Sequence, residues 1–138
     1  MSSPFLVHRR VLFGDCDPAG IIYTPRVAHF VVEAGLEFFR DRLGNGPERK
    51  MLALGVAPPA RALSIEFLRP FTWDDELEIE VRAQEIRTHA IVLRFTGRVS
   101  GQTAFTAELT QVCISTESKR PTPVPDVIRQ ALLGTSDS

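Results

Sequence analysis

From Glu76 to Val81 the chain reads Glu-Leu-Glu-Ile-Glu-Val, and this strict period of two places the aliphatic side chains on one face of an extended strand and the acids on the other. The acidic positions are expected to form a solvated face, which bears on fold rather than on function. Similar runs predict strands over Phe5–Phe13, Ala62–Leu68, Glu76–Ile86, Ala90–Val99 and Thr103–Ser115. Pro70, Thr88-His89 and Ser100-Gly101 supply the breaks between the later ones.

Between Val27 and Leu43 the period lengthens to that of a helix. Val27, Phe30, Val31, Ala34 and Phe38 form one apolar row, and Ala28, Val32, Leu36, Phe39 and Leu43 a neighbouring one, so a wide buried face is predicted. Thr24 is the predicted N-cap, with Pro25 at the first helical position, where a missing N–H does no harm. Gly44-Asn45-Gly46-Pro47 ends the helix, and a mobile, partly polar segment is expected to run to Pro59. Pro121, Pro123 and Pro125 make a stiff connector to a short helix over Asp126–Leu133, closed by Gly134 and followed by a polar tail. One long helix after the first strand, then an antiparallel meander, predicts an α+β domain in which a curled sheet wraps the helix. Exposed edges of such a sheet favour side-by-side pairing of copies.

The 138 residues suit a single domain spanning the whole chain, of ordinary soluble composition. A net charge of −1, from 16 basic and 17 acidic residues, lacks the one-sided basic footprint of a nucleic-acid binder. The stretch from Met1 to Val11 has no long apolar run and contains His8, Arg9 and Arg10, so neither a secretory signal nor a membrane anchor is expected. Cys16 and Cys113 stand far apart without metal-ligand spacing, which fits a reducing, cytoplasmic setting and predicts neither a disulfide nor a zinc site.

Candidate chemistry concentrates in Gly14-Asp15-Cys16-Asp17-Pro18-Ala19-Gly20, a turn-rich loop that leads into the predicted helix start. A carboxylate at Asp17, a few residues upstream of a helix N-terminus, sits beside backbone N–H groups and a dipole suited to a developing oxyanion. Thioester hydrolysis needs little more: the thiolate leaves readily, and the carbonyl requires polarisation plus attack by a carboxylate or an activated water. Asp17 could equally cap its own turn before Pro18. Gly20 is expected to allow a turn or a close backbone approach that a side chain would forbid. Cys16 and Cys113 are expected to pack, and His29 to pack or be solvated.

The segment Phe13-Gly14-Asp15-Cys16-Asp17-Pro18-Ala19-Gly20-Ile21-Ile22-Tyr23-Thr24-Pro25 resembles the active-site signature of the 4-hydroxybenzoyl-CoA thioesterase family, a branch of the hot-dog superfamily. Looser similarity continues through Glu33-Ala34, Trp73-Asp74-Asp75-Glu76 and the Arg120…Pro123…Pro125 pattern. The resemblance implies a hot-dog fold, with an antiparallel sheet of about five strands around one long central helix. It implies hydrolysis of an acyl- or aroyl-CoA without metal or other cofactor, by homodimers or homotetramers with sites between subunits. Asp17 would be the catalytic carboxylate, as nucleophile or general base, and the Thr24 backbone N–H would polarise the thioester; Asp15 would be structural. Gly20, Tyr23 and Val27 would line the substrate, and Arg87 and His89, with Lys119 and Arg120 as weaker candidates, would meet the nucleotide phosphates. Family members often carry aromatic residues at the positions of Thr24 and Val27, so the acyl group is left open. Two other readings compete: an acyl-CoA hydratase or dehydratase, whose histidine-containing motif is not found, and a module that binds acyl-CoA or an acylated carrier without turnover.

Overall fold

The alternation at Glu76–Val81 becomes part of the central strand pair, with Leu77, Ile79 and Val81 buried and the glutamates turned outward. A computed structural model describes residues 4–134. The polar tail after Gly134 lies outside the described residues, as do residues 1–3 of the N-terminal run. The strands are β1 (Phe5–Arg10), β2 (Val56–Ala57), β3 (Ala60–Phe67), β4 (Glu76–Ile86), β5 (Ala90–Val99), β6 (Gln102–Val112) and β7 (Ile114–Ser115). The helices are α1 (Thr24–Leu43), α2 (Pro47–Ala53) and α3 (Asp126–Leu133).

Five strands form an antiparallel sheet in the order β1-β4-β5-β6-β3, and β2 pairs with β7 in a small ribbon. The inner face of the sheet packs on α1 through Leu93, Phe95 and Phe105 against Phe30, Val31, Ala34 and Phe38. This is the α+β arrangement predicted from the strand and helix periods, and the hot-dog fold that the family resemblance implies. On the outer face Glu80 receives Arg82 and Arg98 at 2.5 and 3.0 Å. Partial burial by itself would raise its carboxyl pKa, but the two guanidinium groups outweigh that and hold it below the ordinary carboxylate range.

Several boundaries differ from the sequence pattern, each for a local reason. β1 stops at Arg10 rather than Phe13, because the chain turns into a single 3-10 turn at Phe13–Asp15, held by the Asp15 carboxylate on the Leu12 N–H at 2.9 Å. The segment expected to be mobile up to Pro59 contains α2 and β2, which bury Met51 and Val56 against the core. The last strand breaks at Cys113, whose buried side chain separates β6 from β7. The second apolar row of α1 is only partly covered: Phe39 is buried, but Val32 and Leu36 are 42% and 48% exposed. Both sheet edges are unpaired among the described residues, and β3 leaves Leu63 and Phe67 open to solvent.

Candidate active site

The loop that follows the 3-10 turn is tied to itself by Asp17. One carboxylate oxygen, Oδ1, accepts the Ala19 and Ile21 N–H groups at 2.9 and 3.2 Å. The Asp17 backbone N–H donates to the Ile21 carbonyl at 2.8 Å, and its carbonyl accepts the Gly20 N–H at 2.9 Å. Asp17 therefore does cap its own turn, as Asp-Pro sequences commonly do. That role occupies only one oxygen, and among the described residues the other has no hydrogen-bond partner. The side chain is half-buried, at the rim of the loop.

Gly20 performs two of the tasks expected of it. Its φ of +83° lies in the left-handed region, and a Cβ there would come within 3.1 Å of the Trp73 ring. Its carbonyl accepts the Thr72 hydroxyl, and the Ile22 N–H donates to Phe71 at 2.9 Å. Phe13 stands edge-on to Trp73 at 5.1 Å. The loop is thus bolted to the segment that enters β4, at the end of the sheet where Arg10 pairs with Glu76.

Asp15 faces inward and is 5% exposed. Besides the Leu12 N–H, its carboxylate meets Arg26 Nε at 3.4 Å, and its carbonyl accepts the Tyr23 N–H at 2.9 Å. Those contacts fix the entry to α1. Thr24 is not the N-cap: Tyr23 takes that place with extended backbone angles, and Thr24 and Pro25 are the first two helical residues. The one-residue shift follows from the Asp15 carbonyl, which occupies the Tyr23 N–H. The orphan donors of this helix start can then be counted. Arg26 N–H returns to the Tyr23 carbonyl at 2.8 Å, Pro25 has none, and Thr24 N–H is unpaired among the described residues. The Thr24 N–H thus stands free, among the described residues, at the positive end of a 20-residue helix, and Thr24 and Tyr23 are both exposed beside it.

Val27 lies elsewhere. It is 0% exposed within the core, so in this chain it has no surface to offer a substrate. The helical period that put Val27 in the buried row was the better guide to its place. Arg87 and His89 are exposed on the β4–β5 turn, where Arg87 pairs with Glu85 at 3.3 Å. That turn is at the opposite end of β4 from Asp17, about 30 Å away at the rise of an extended strand. Within one chain the two groups do not meet. Sequence reasoning missed Arg129, whose guanidinium donates to the Ile86 and Arg87 carbonyls at 2.8 and 2.9 Å and pins the turn. Lys119 is engaged by the Thr116 carbonyl at 2.7 Å.

His29 is solvent-exposed and meets Glu33 at 3.1 Å. Glu33 also receives Arg9 at 2.6 Å, and the Arg9 guanidinium lies 4.3 Å over the Phe30 ring. These residues, except His29, line a groove of about 580 Å³ between β1 and α1 that does not include Asp17. A second hollow of about 260 Å³ is walled by Leu36, Phe39, Met51, Leu52 and Val56. Cys16 is partly buried against the core and Cys113 fully so, where burial pushes its thiol pKa up. Among the described residues no three His, Cys, Asp or Glu side chains are placed to hold a metal ion, and no helix is long and apolar enough to cross a membrane.

A family model described as thioesterase-like superfamily matches residues 11–132. The chain is 29% identical to a 1,4-dihydroxy-2-naphthoyl-CoA hydrolase of Gloeothece citriformis, over 96% of both chains. It is 30% identical to a 4-hydroxybenzoyl-CoA thioesterase of a Pseudomonas species, over 68% of this chain and 67% of that one. The crystal structure of a thioesterase superfamily protein from a Jannaschia species superposes with a TM-score of 0.87 at 31% identity, covering 96% of this chain and 92% of the other.

Proposed function

The chain belongs to the thioesterase-like superfamily, and from that premise we propose that it hydrolyses an acyl- or aroyl-CoA thioester with Asp17 as the catalytic carboxylate. Thioester hydrolysis is the activity common to the named relatives. The observation that carries the residue assignment is the pairing of two unspent groups on one short stretch. Among the described residues Asp17 keeps one carboxylate oxygen free, and Thr24, seven residues on, keeps an unpaired and exposed N–H at the start of α1.

In this reading the Thr24 N–H, assisted by the helix dipole, binds the thioester oxygen and gains strength as negative charge develops there. Asp17 then acts in one of two ways. As general base it takes a proton from water while the hydroxyl adds to the carbonyl carbon; the C–S bond of the adduct then breaks and the departing thiolate takes up the proton. As nucleophile its oxygen adds directly, the C–S bond breaks, and water hydrolyses the mixed anhydride. Both routes release the carboxylic acid and coenzyme A thiol, and neither calls for a metal or another cofactor.

We assign the nucleotide-binding role of Arg87 and His89 to a second copy of the chain, in a cytoplasmic homodimer or homotetramer. Their distance from Asp17 along β4 supports this, as do the open β3 edge and the exposed Val32 and Leu36 on α1. Gly20 and Tyr23 flank the acyl group in the same reading.

The test is a panel of CoA thioesters, from short aliphatic to benzoyl, hydroxybenzoyl and naphthoyl, assayed by release of free thiol. Turnover of at least one ester is expected, and silence across the panel would leave a binding module instead. Light scattering should give a dimer or larger; a stable, fully active monomer contradicts the shared site.

A further inference from the structure

A cation in the first turn of a helix works against the dipole, yet the first turn of α1 has Arg26 and no acidic residue. What compensates Arg26 is Asp15, nearly buried, at 3.4 Å from its Nε. Asp15 touches α1 at two points, with its carbonyl on the Tyr23 N–H at 2.9 Å and its carboxylate on Arg26. Thr24 lies between those two points. The free N–H is therefore bracketed on both sides by contacts to a single residue. That residue is also two positions before Asp17, and its carboxylate holds the Leu12 N–H at the other end of the loop.

We propose that Arg26 is a positioning residue for thioester hydrolysis: its pairing with Asp15 sets the distance and angle between the Thr24 N–H and the Asp17 carboxylate. The inference rests on the assignment of those two groups made above, and it adds a device that no local pattern in the sequence reveals. Without the Arg26 contact, Asp15 would still hold Tyr23 and Val27 would stay in the core, but the exposed side of the first turn could pivot slightly about those anchors. A buried carboxylate would also lose its counter-charge. Misplacement of a reacting group by about 1 Å can cost about 10²-fold in rate, so a partial pivot is expected to cost roughly tenfold.

The experiment measures kcat and KM of the full chain with the panel ester it hydrolyses fastest. Arg26→Met is expected to lower kcat about tenfold with KM within about twofold, because the Thr24 N–H contact is weak to the neutral thioester oxygen and gains most of its strength in the transition state. Arg26→Lys, which restores the cation, is expected to recover kcat to within about threefold. Should Arg26→Met not fold, Arg26→Gln takes its place in the same comparison with Arg26→Lys. An unchanged kcat in the uncharged variants, or an equal loss in Arg26→Lys, overturns the proposal. Asp17→Asn, assayed alongside, separates the two levels. If it is inactive while the uncharged Arg26 variants are fully active, the positioning role alone falls; if it is fully active, the Asp17 assignment falls and the positioning role with it.

Discussion

The floor and the rim of the loop after β1 each carry an aspartate, two residues apart, and the two are used in opposite ways. At the floor Asp15 is buried, and its carboxylate is divided between the Leu12 N–H and Arg26. At the rim Asp17 is half-exposed, with one oxygen fixed by two N–H groups and the other free among the described residues. Residue type does not distinguish them. What distinguishes them is bonding capacity: a carboxylate whose oxygens are both committed can hold structure, whereas one fixed by a single oxygen can be aimed and still react. The same contrast holds for the backbone at the helix start, where the Tyr23 and Arg26 N–H groups are engaged and that of Thr24 is unpaired among the described residues.

The contrast can be broken most forcefully at the rim. Asp17→Ala removes the free oxygen together with the loop bonds, and kcat for thioester release is expected to fall about 10²-fold or more. Its unfolding free energy should drop by only about 1–2 kcal/mol, the net worth of two surface-loop hydrogen bonds, as read by urea titration. At the floor the signature reverses in kind. Asp15→Ala leaves the Leu12 N–H and Arg26 without their partner in a nearly buried site, and a loss of about 2–3 kcal/mol of stability is expected in the same titration. A smaller effect is expected where the two levels join. Gly20→Ala combines a positive φ with a Cβ 3.1 Å from Trp73, and about 1–2 kcal/mol of destabilisation should appear as a lowered melting temperature.

The fold was largely legible in the sequence because two periods carry it. The alternation at Glu76–Val81 and the five-residue row from Val27 to Phe38 each report which side faces the core, and both sides are where the periods put them. The second row on α1 misled because a period reports apolarity and not the presence of a cover; Val32 and Leu36 have none in the single chain. The loop was legible as a loop from its glycine, proline and aspartate content, and Gly20 behaves as that content implies.

The division of labour within the loop was less legible. The Asp15–Arg26 contact spans 11 residues between elements of different type, and no periodicity links such positions. The N-cap shifted by one residue because a distant carbonyl, not a side chain, satisfies the Tyr23 N–H. Val27 shows the limit of carrying a role across by position, since a residue at the right place in a signature can still point into the core. Arg87 and His89 are separated from the loop by a strand of 11 residues, so their proposed role calls for a second copy, which no pattern within one chain displays.

The most direct test of the central claim replaces a single atom at each level: kcat for free-thiol release is measured for Asp17→Asn and Asp15→Asn on the same CoA ester, with melting temperature alongside. Asparagine keeps an acceptor for the Ala19 and Ile21 N–H groups, so Asp17→Asn should melt close to the parent while kcat falls about 10²-fold or more. Asp15→Asn should lose far less turnover and more of its thermal stability. Undiminished turnover in Asp17→Asn would contradict the account, because the free oxygen at the rim would then have no part in the chemistry.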